Sequence, residues 1–171
     1  FRILGEKGAS RLENAEKVMA DLRVAREMET DFNERPKRLE KLRKSEPISI
    51  TGKEITPSED LKEYKKNAFE YGKQFRGKYT NKDNGKVIFI GKNGIKEVLN
   101  HDYKNVEQLQ SVAAIPQIIE NSIYISSELN NDTKIDAEKF DYYLTGLNIG
   151  GVDYTVRSVI VELKDGTRYY D

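Results

Sequence analysis

Hydrophobic and polar positions follow two regimes along the chain. Over residues 1–46 the apolar side chains are few and recur at helical spacing. Leu12, Ala15, Met19 and Leu22 fall on one face of a helix whose other face is charged. Ser10-Arg11-Leu12-Glu13 has the form of a capping box, in which the Ser hydroxyl accepts a backbone N–H and the Glu reaches back. Pro36 is expected to break or restart the helix, and residues 37–44 offer only Leu39 and Leu42 for burial. A single thin apolar stripe predicts an exposed helical spacer or a helix that docks on a partner.

From Pro47 the pattern changes. Ile48-Ser49-Ile50 reads as a short extended piece. Thr56-Pro57-Ser58-Glu59 predicts a helix start, with Thr as N-cap, Pro at the first helical position and Glu at the third. Leu61, Tyr64, Ala68, Tyr71 and Phe75 then form one stripe, and Gly77 is placed to end the helix as a left-handed cap. Apolar runs on either side of Asp83-Asn84-Gly85 predict a β-hairpin near 78–90. A short helix is expected over 95–100 and another from Val106 to Ala114, restarted at Pro116. Extended segments follow at 122–127, 140–149, 152–163 and 167–170, with Gly150-Gly151 and Asp165-Gly166 as turns. The pattern predicts an α+β protein. A helical linker spans 1–46, and in 47–171 helices pack on an antiparallel meander.

Composition narrows the function. The chain has 171 residues and no cysteine, which removes disulfides, thiolate metal sites and cysteine nucleophiles together and fits a cytoplasmic protein. No run approaches the roughly 20 apolar residues of a membrane span, and the first residues lack an apolar signal core. Lys and Arg number 29, as do Asp and Glu, which excludes a globally basic nucleic-acid binder. The balance is a cancellation, however: residues 62–86 carry a net +5 and residues 87–171 a net −5. A local phosphate-binding face therefore stays open.

Three features carry candidate chemistry. His101 is the sole histidine, placed at the end of a short helix. It suits a general acid or base, or a solvated helix C-terminus favoured by the dipole. Arg157 sits mid-strand, where it either steadies a phosphate or covers apolar surface with its stem. The basic run includes Lys62, Lys65, Lys66, Lys73 and Arg76, interleaved with Tyr64, Tyr71, Phe75 and Tyr79. It reads as a nucleic-acid surface or as a solvated helix face over a buried aromatic stripe. Glu128, Asp132, Asp136 and Glu138 lack the glycine and ligand order of a calcium loop, so no metal site and no cofactor is expected.

Several blocks carry a resemblance. They are Ile50-Thr51-Gly52-Lys53-Glu54, Gly77-Lys78-Tyr79-Thr80-Asn81, Ser111-Val112-Ala113-Ala114-Ile115-Pro116, and Ile119-Glu120-Asn121-Ser122-Ile123-Tyr124-Ile125. Gly150-Gly151-Val152-Asp153-Tyr154-Thr155-Val156 and Tyr169-Tyr170-Asp171 complete them. Together they resemble the third large polyvalent protein-associated domain family. Its members sit in very large multidomain proteins of phages and conjugative elements, often from Bacteroides-like bacteria. The resemblance implies a barnase–EndoU–colicin–RelE-like nuclease fold, with helices ahead of a four-stranded antiparallel sheet. It implies metal-independent endoribonuclease chemistry in a toxin or effector. His101 would be base or acid, Lys104 and Arg157 cations, and Tyr154 or Tyr169 a proton donor or stacking group. RNA and the other domains of a longer parent polypeptide are the implied partners. A non-catalytic interaction or regulatory module of the same large protein is the alternative. The first residue is not Met and Asp171 falls in or just after a strand, so an excised piece of a longer chain is expected. The family pattern continues with a His after Asp171.

Overall fold

The structure, a computed structural model, describes residues 2–4, 29–100, 106–132, 134 and 136–170, with the backbone alone for 2–4 and 29–33. The Ser10 capping box and the Leu12–Leu22 stripe lie outside the described residues. The elements run β1 (Arg2–Leu4), α1 (Glu29–Lys44), β2 (Ile48–Ile50), α2 (Leu61–Gly72), β3 (Gly77–Thr80), β4 (Val87–Ile90) and α3 (Lys92–Asn100). They continue α4 (Val106–Gln110), a 3-10 turn (Ser111–Ala114), α5 (Ile115–Asn121), β5 (Ile123–Leu129), β6 (Lys139–Ile149), β7 (Val152–Glu162) and β8 (Arg168–Tyr170).

The α+β class holds, but the sheet is larger than expected. The meander β5-β6-β7-β8 is antiparallel throughout. It is half of an eight-stranded sheet, because β2 joins β6 and β4 joins β8 in parallel, β3 pairs with β4, and β1 pairs with β7. The two long central strands turn at Gly150 and Gly151, both with positive φ. The sheet also curls. The loop between β3 and β4 reaches the β5 side, where Asn81 donates from Nδ2 to the carbonyls of Ile119 and Ser122 at 2.8 and 2.9 Å. Asn84 donates to the Tyr143 hydroxyl at 2.7 Å, and Asp83 accepts from the Tyr124 N–H at 3.0 Å.

Strand alternation gives the sheet two faces. On the inner face Tyr143, Leu147, Tyr154, Val156 and Ile160 pack against Tyr64, Ala68, Ile95, Leu109, Ile115 and Ile118 from the helices. On the outer face Leu42 and Leu39 of α1 pack on Ile123, Ile125 and Leu144. These are the two leucines the sequence offered for burial.

Three local expectations need correction. Helix α1 runs unbroken through Pro36. An interior proline loses one ladder hydrogen bond and crowds the carbonyl four residues before it, and the packing of Leu39 and Leu42 beyond it holds the following turns. Helix α2 starts at Leu61, where Asp60 rather than Thr56 is the cap and accepts from the Lys62 N–H at 3.0 Å. Gly77 has φ +147 but opens β3, because the helix already tightens into a 3-10 turn at Lys73–Phe75.

Candidate functional site

Helices α2 and α3 pack side by side because Gly72 has no Cβ. A methyl there would meet Ile95 and Val112 at 2.9 Å. Above this contact Lys62, Lys65 and Lys66 of α2 and Lys96 of α3 surround a groove of about 350 Å³. Phe69, Leu99 and Asn100 complete its lining. Lys65 Nζ donates to Asn100 Oδ1 at 3.1 Å. The ammonium groups of Lys73 and Lys96 lie 5.1 and 5.9 Å from the centroid of the Phe69 ring. Gathering cations on one concave surface raises its positive potential, and an incoming anion relieves their repulsion. Of the sequence-predicted basic residues, Lys62, Lys65 and Lys66 meet here. Lys73 stands at the margin and is ion-paired with Glu70 at 2.9 Å, while Arg76 is exposed beyond the 3-10 turn.

A second cleft, of about 240 Å³, opens between the β6–β7 turn and α4. Tyr154 and Tyr64 form its apolar side, with Glu107, Gln110, Thr51 and Gly52 supplying polar groups. Burial pushes the Tyr154 phenol above its ordinary value, and the Glu107 carboxylate that accepts its hydroxyl pushes it further. Gln110 is fixed by bonds to the backbone of Ile55 and by donating to the Tyr64 hydroxyl at 2.5 Å. Along one edge, Glu54 accepts from the N–H groups of Thr51, Gly52 and Lys53 and from the Thr51 hydroxyl. Burial raises the Glu54 carboxyl, but these hydrogen bonds together bring it below its ordinary value. The Thr51-Gly52-Lys53-Glu54 block thus shapes a rigid corner of the cleft.

The remaining sequence-predicted residues do not join Tyr154. Arg157 belongs to the outer face, opposite Leu144 and beside β1. Tyr169 is also on the outer face, 43% exposed, with Phe89 and Val161 as its cross-strand neighbours. His101 and Lys104 lie outside the described residues. In the chain they fall in the segment joining α3, whose Asn100 lines the lysine groove, to α4, whose Val106 and Glu107 line the Tyr154 cleft. Asp132, Asp136 and Glu138 are exposed, and Glu128 accepts from the Tyr142 hydroxyl at 2.9 Å. Among the described residues no group of His, Cys, Asp and Glu could hold a metal ion, and no helix is long and apolar enough to cross a membrane.

A family model described as large polyvalent protein-associated domain 3 matches residues 59–170, from just before α2 through β8. The chain belongs to that family. The matched span of this polyvalent protein-associated domain contains the whole lysine groove, Tyr154, Glu107 and Tyr169; β1, α1 and β2 precede it. No curated protein matches the chain, and no solved structure does.

Sequence reasoning missed Lys96, Phe69 and Asn100 in the groove of this domain, and Glu107 and Gln110 in its cleft. One signal was present. Lys92, Lys96 and Asn100 recur every fourth residue and so share one ridge of α3.

Proposed function

We propose that this domain is the RNA-engaging, nuclease-like unit of a large mobile-element polyvalent protein acting in the cytoplasm. The observation that carries the reading is the groove in which four lysines from α2 and α3 stand around Phe69. Ammonium groups neutralise phosphates, and a ring among them offers a surface for a sugar or base. An open, shallow groove suits a flexible backbone better than a deep small-molecule pocket would. The run of helices α3 to α5 followed by the antiparallel meander β5–β8 supports the same reading.

The chemistry proposed is metal-independent endoribonuclease cleavage. It needs a base for the 2′-hydroxyl, a cation beside the phosphorane and an acid for the leaving oxygen. His101 and Lys104 are the residues for the proton transfer and the charge, and Tyr154 becomes a hydrogen-bond donor to the substrate once its O–H turns away from Glu107. Arg157 is on the opposite face of the sheet from Tyr154 and takes no part. The test is a cleavage assay on single-stranded RNA in EDTA. The expected result is product ending in a 2′,3′-cyclic phosphate, and its loss in His101→Ala. RNA that stays intact would leave binding alone.

One observation favours the non-catalytic alternative. Phe89, Tyr169, Val161 and Phe140 form a register-aligned, partly exposed apolar row across four strands. Such a row also suits contact with another domain of the parent polypeptide. Tight binding to that domain with no retention of RNA would support this second reading.

A further inference from the structure

We propose that the RNA held by the lysine groove is single-stranded and stacks a base on Tyr169. The inference rests on the RNA reading above and names the form of RNA that the site takes. It starts from the outer face, where Lys78, Phe89, Tyr169 and Val161 are successive cross-strand neighbours. The rings of Phe89 and Tyr169 have centroids 5.9 Å apart with planes at 37°, and Lys78 Nζ is 5.1 Å from the Phe89 centroid. Tyr169 is 43% exposed, so part of its ring is open to solvent beside the Phe89 ring that carries Lys78.

A cleft of about 470 Å³ adjoins this ring, lined by Lys92, Asn93, Gly94, Val161 and Tyr170 as well as Tyr169. Lys92 begins the ridge of α3 that continues through Lys96 and Asn100 into the lysine groove. At 1.5 Å per residue that ridge covers about 12 Å from Lys92 to Asn100. Gly94 brings its first turn against β8, since a Cβ there would meet the Tyr170 carbonyl at 2.8 Å. One helix edge therefore joins the aromatic pair to the four-lysine groove. A strand whose phosphates follow Lys66, Lys96 and Lys92 delivers a base to Tyr169. A duplex cannot do this, because its bases are stacked on one another and show no free face.

The test uses a short single-stranded RNA carrying one 2-aminopurine, the same RNA as a duplex, and the same sequence as DNA. The proteins are the wild type, Tyr169→Ala, Tyr169→Phe and the Lys65→Glu/Lys66→Glu double variant. The expected result is quenching of 2-aminopurine by the wild type and by Tyr169→Phe. Tyr169→Ala is expected to lose the quenching and to bind the single strand roughly 5- to 150-fold more weakly. Duplex binding by Tyr169→Ala should be unchanged. Equal binding of duplex and single strand, or an unaffected Tyr169→Ala, overturns the inference and leaves the RNA reading standing. Equal binding of the DNA strand overturns the assignment to RNA. Undiminished binding by the double-lysine variant, or no RNA binding by the wild type, overturns the groove reading and this inference together.

Discussion

Asp141 is fully buried on β6, and its Oδ1 accepts the hydroxyl of Ser127 across the β5–β6 pair at 2.5 Å. The Tyr124 hydroxyl shares a hydrogen bond with Ser127 Oγ, and Lys139 Nζ approaches the same Asp141 oxygen at 3.7 Å. Lys139 also bridges to Glu162 at 3.4 Å, and Glu162 to Arg168 at 3.3 Å. A charge out of water is tolerated only when its partners stay in place, so this network ties β5, β6, β7 and β8 together at one end. Asp141→Ala is expected to cost about 3 kcal/mol, because it takes the acceptor from the buried Ser127 hydroxyl and one of the two carboxylates facing Lys139. Ser127→Ala should cost about 1 kcal/mol. Urea denaturation of the two variants checks this, and an Asp141→Ala protein as stable as the wild type would contradict it.

Gly94 and Gly91 make a matched pair. A Cβ at Gly94 meets the Tyr170 carbonyl oxygen and the Tyr170 ring at 2.8 Å, whereas one at Gly91 meets nothing within 4 Å. Gly94→Ala must push α3 off β8 and should destabilise by about 1–3 kcal/mol. Gly91→Ala should leave thermal stability almost unchanged. Equal melting temperatures for the two variants would show that α3 does not depend on that close approach.

The titrating groups set stability at both ends of the pH range. Burial raises the phenols of Tyr143 and Tyr154 above the ordinary value. The unfolded chain releases these protons near pH 10, while the folded chain holds them further. Stability is therefore complete below about pH 10 and falls as pH rises through the folded values. Glu54 works in the other direction. Its hydrogen bonds hold it below the ordinary 4.5, so its contribution is present above that pH and is lost as pH falls through the folded value. Absorbance titration at 295 nm checks the alkaline limb. Glu107→Gln should let Tyr154 ionise at lower pH than in the wild type, and an unmoved titration would contradict the pairing.

Sequence pattern made the local features legible and left the long-range ones hidden. The β6–β7 pair was readable because Gly150-Gly151 and the alternation on either side are local signals. The parallel pairings of β2 with β6 and β4 with β8 join segments far apart in the chain, and no short window encodes them. The cap of α2 was misread because Thr56 and Asp60 are both good caps and only packing chose between them. In the groove, Lys62, Lys65 and Lys66 stood out as a cluster, but Lys96 and Asn100 count only once α3 packs on α2. Tyr154 and Arg157 are three residues apart on one strand, so parity alone assigns them to opposite faces. That signal was available in the sequence.

The central claim is that the lysine groove holds an RNA backbone, and the salt dependence of binding tests it most directly. Fluorescence anisotropy of a labelled single-stranded RNA is measured against the wild type and the Lys65→Glu/Lys66→Glu variant over a range of salt. The claim predicts that log K falls linearly with log salt for the wild type, and that the variant binds more weakly with a slope shallower by roughly 1.4, the share of two phosphate contacts on a single strand. Binding that is independent of salt, or a variant with the wild-type slope and affinity, would contradict it.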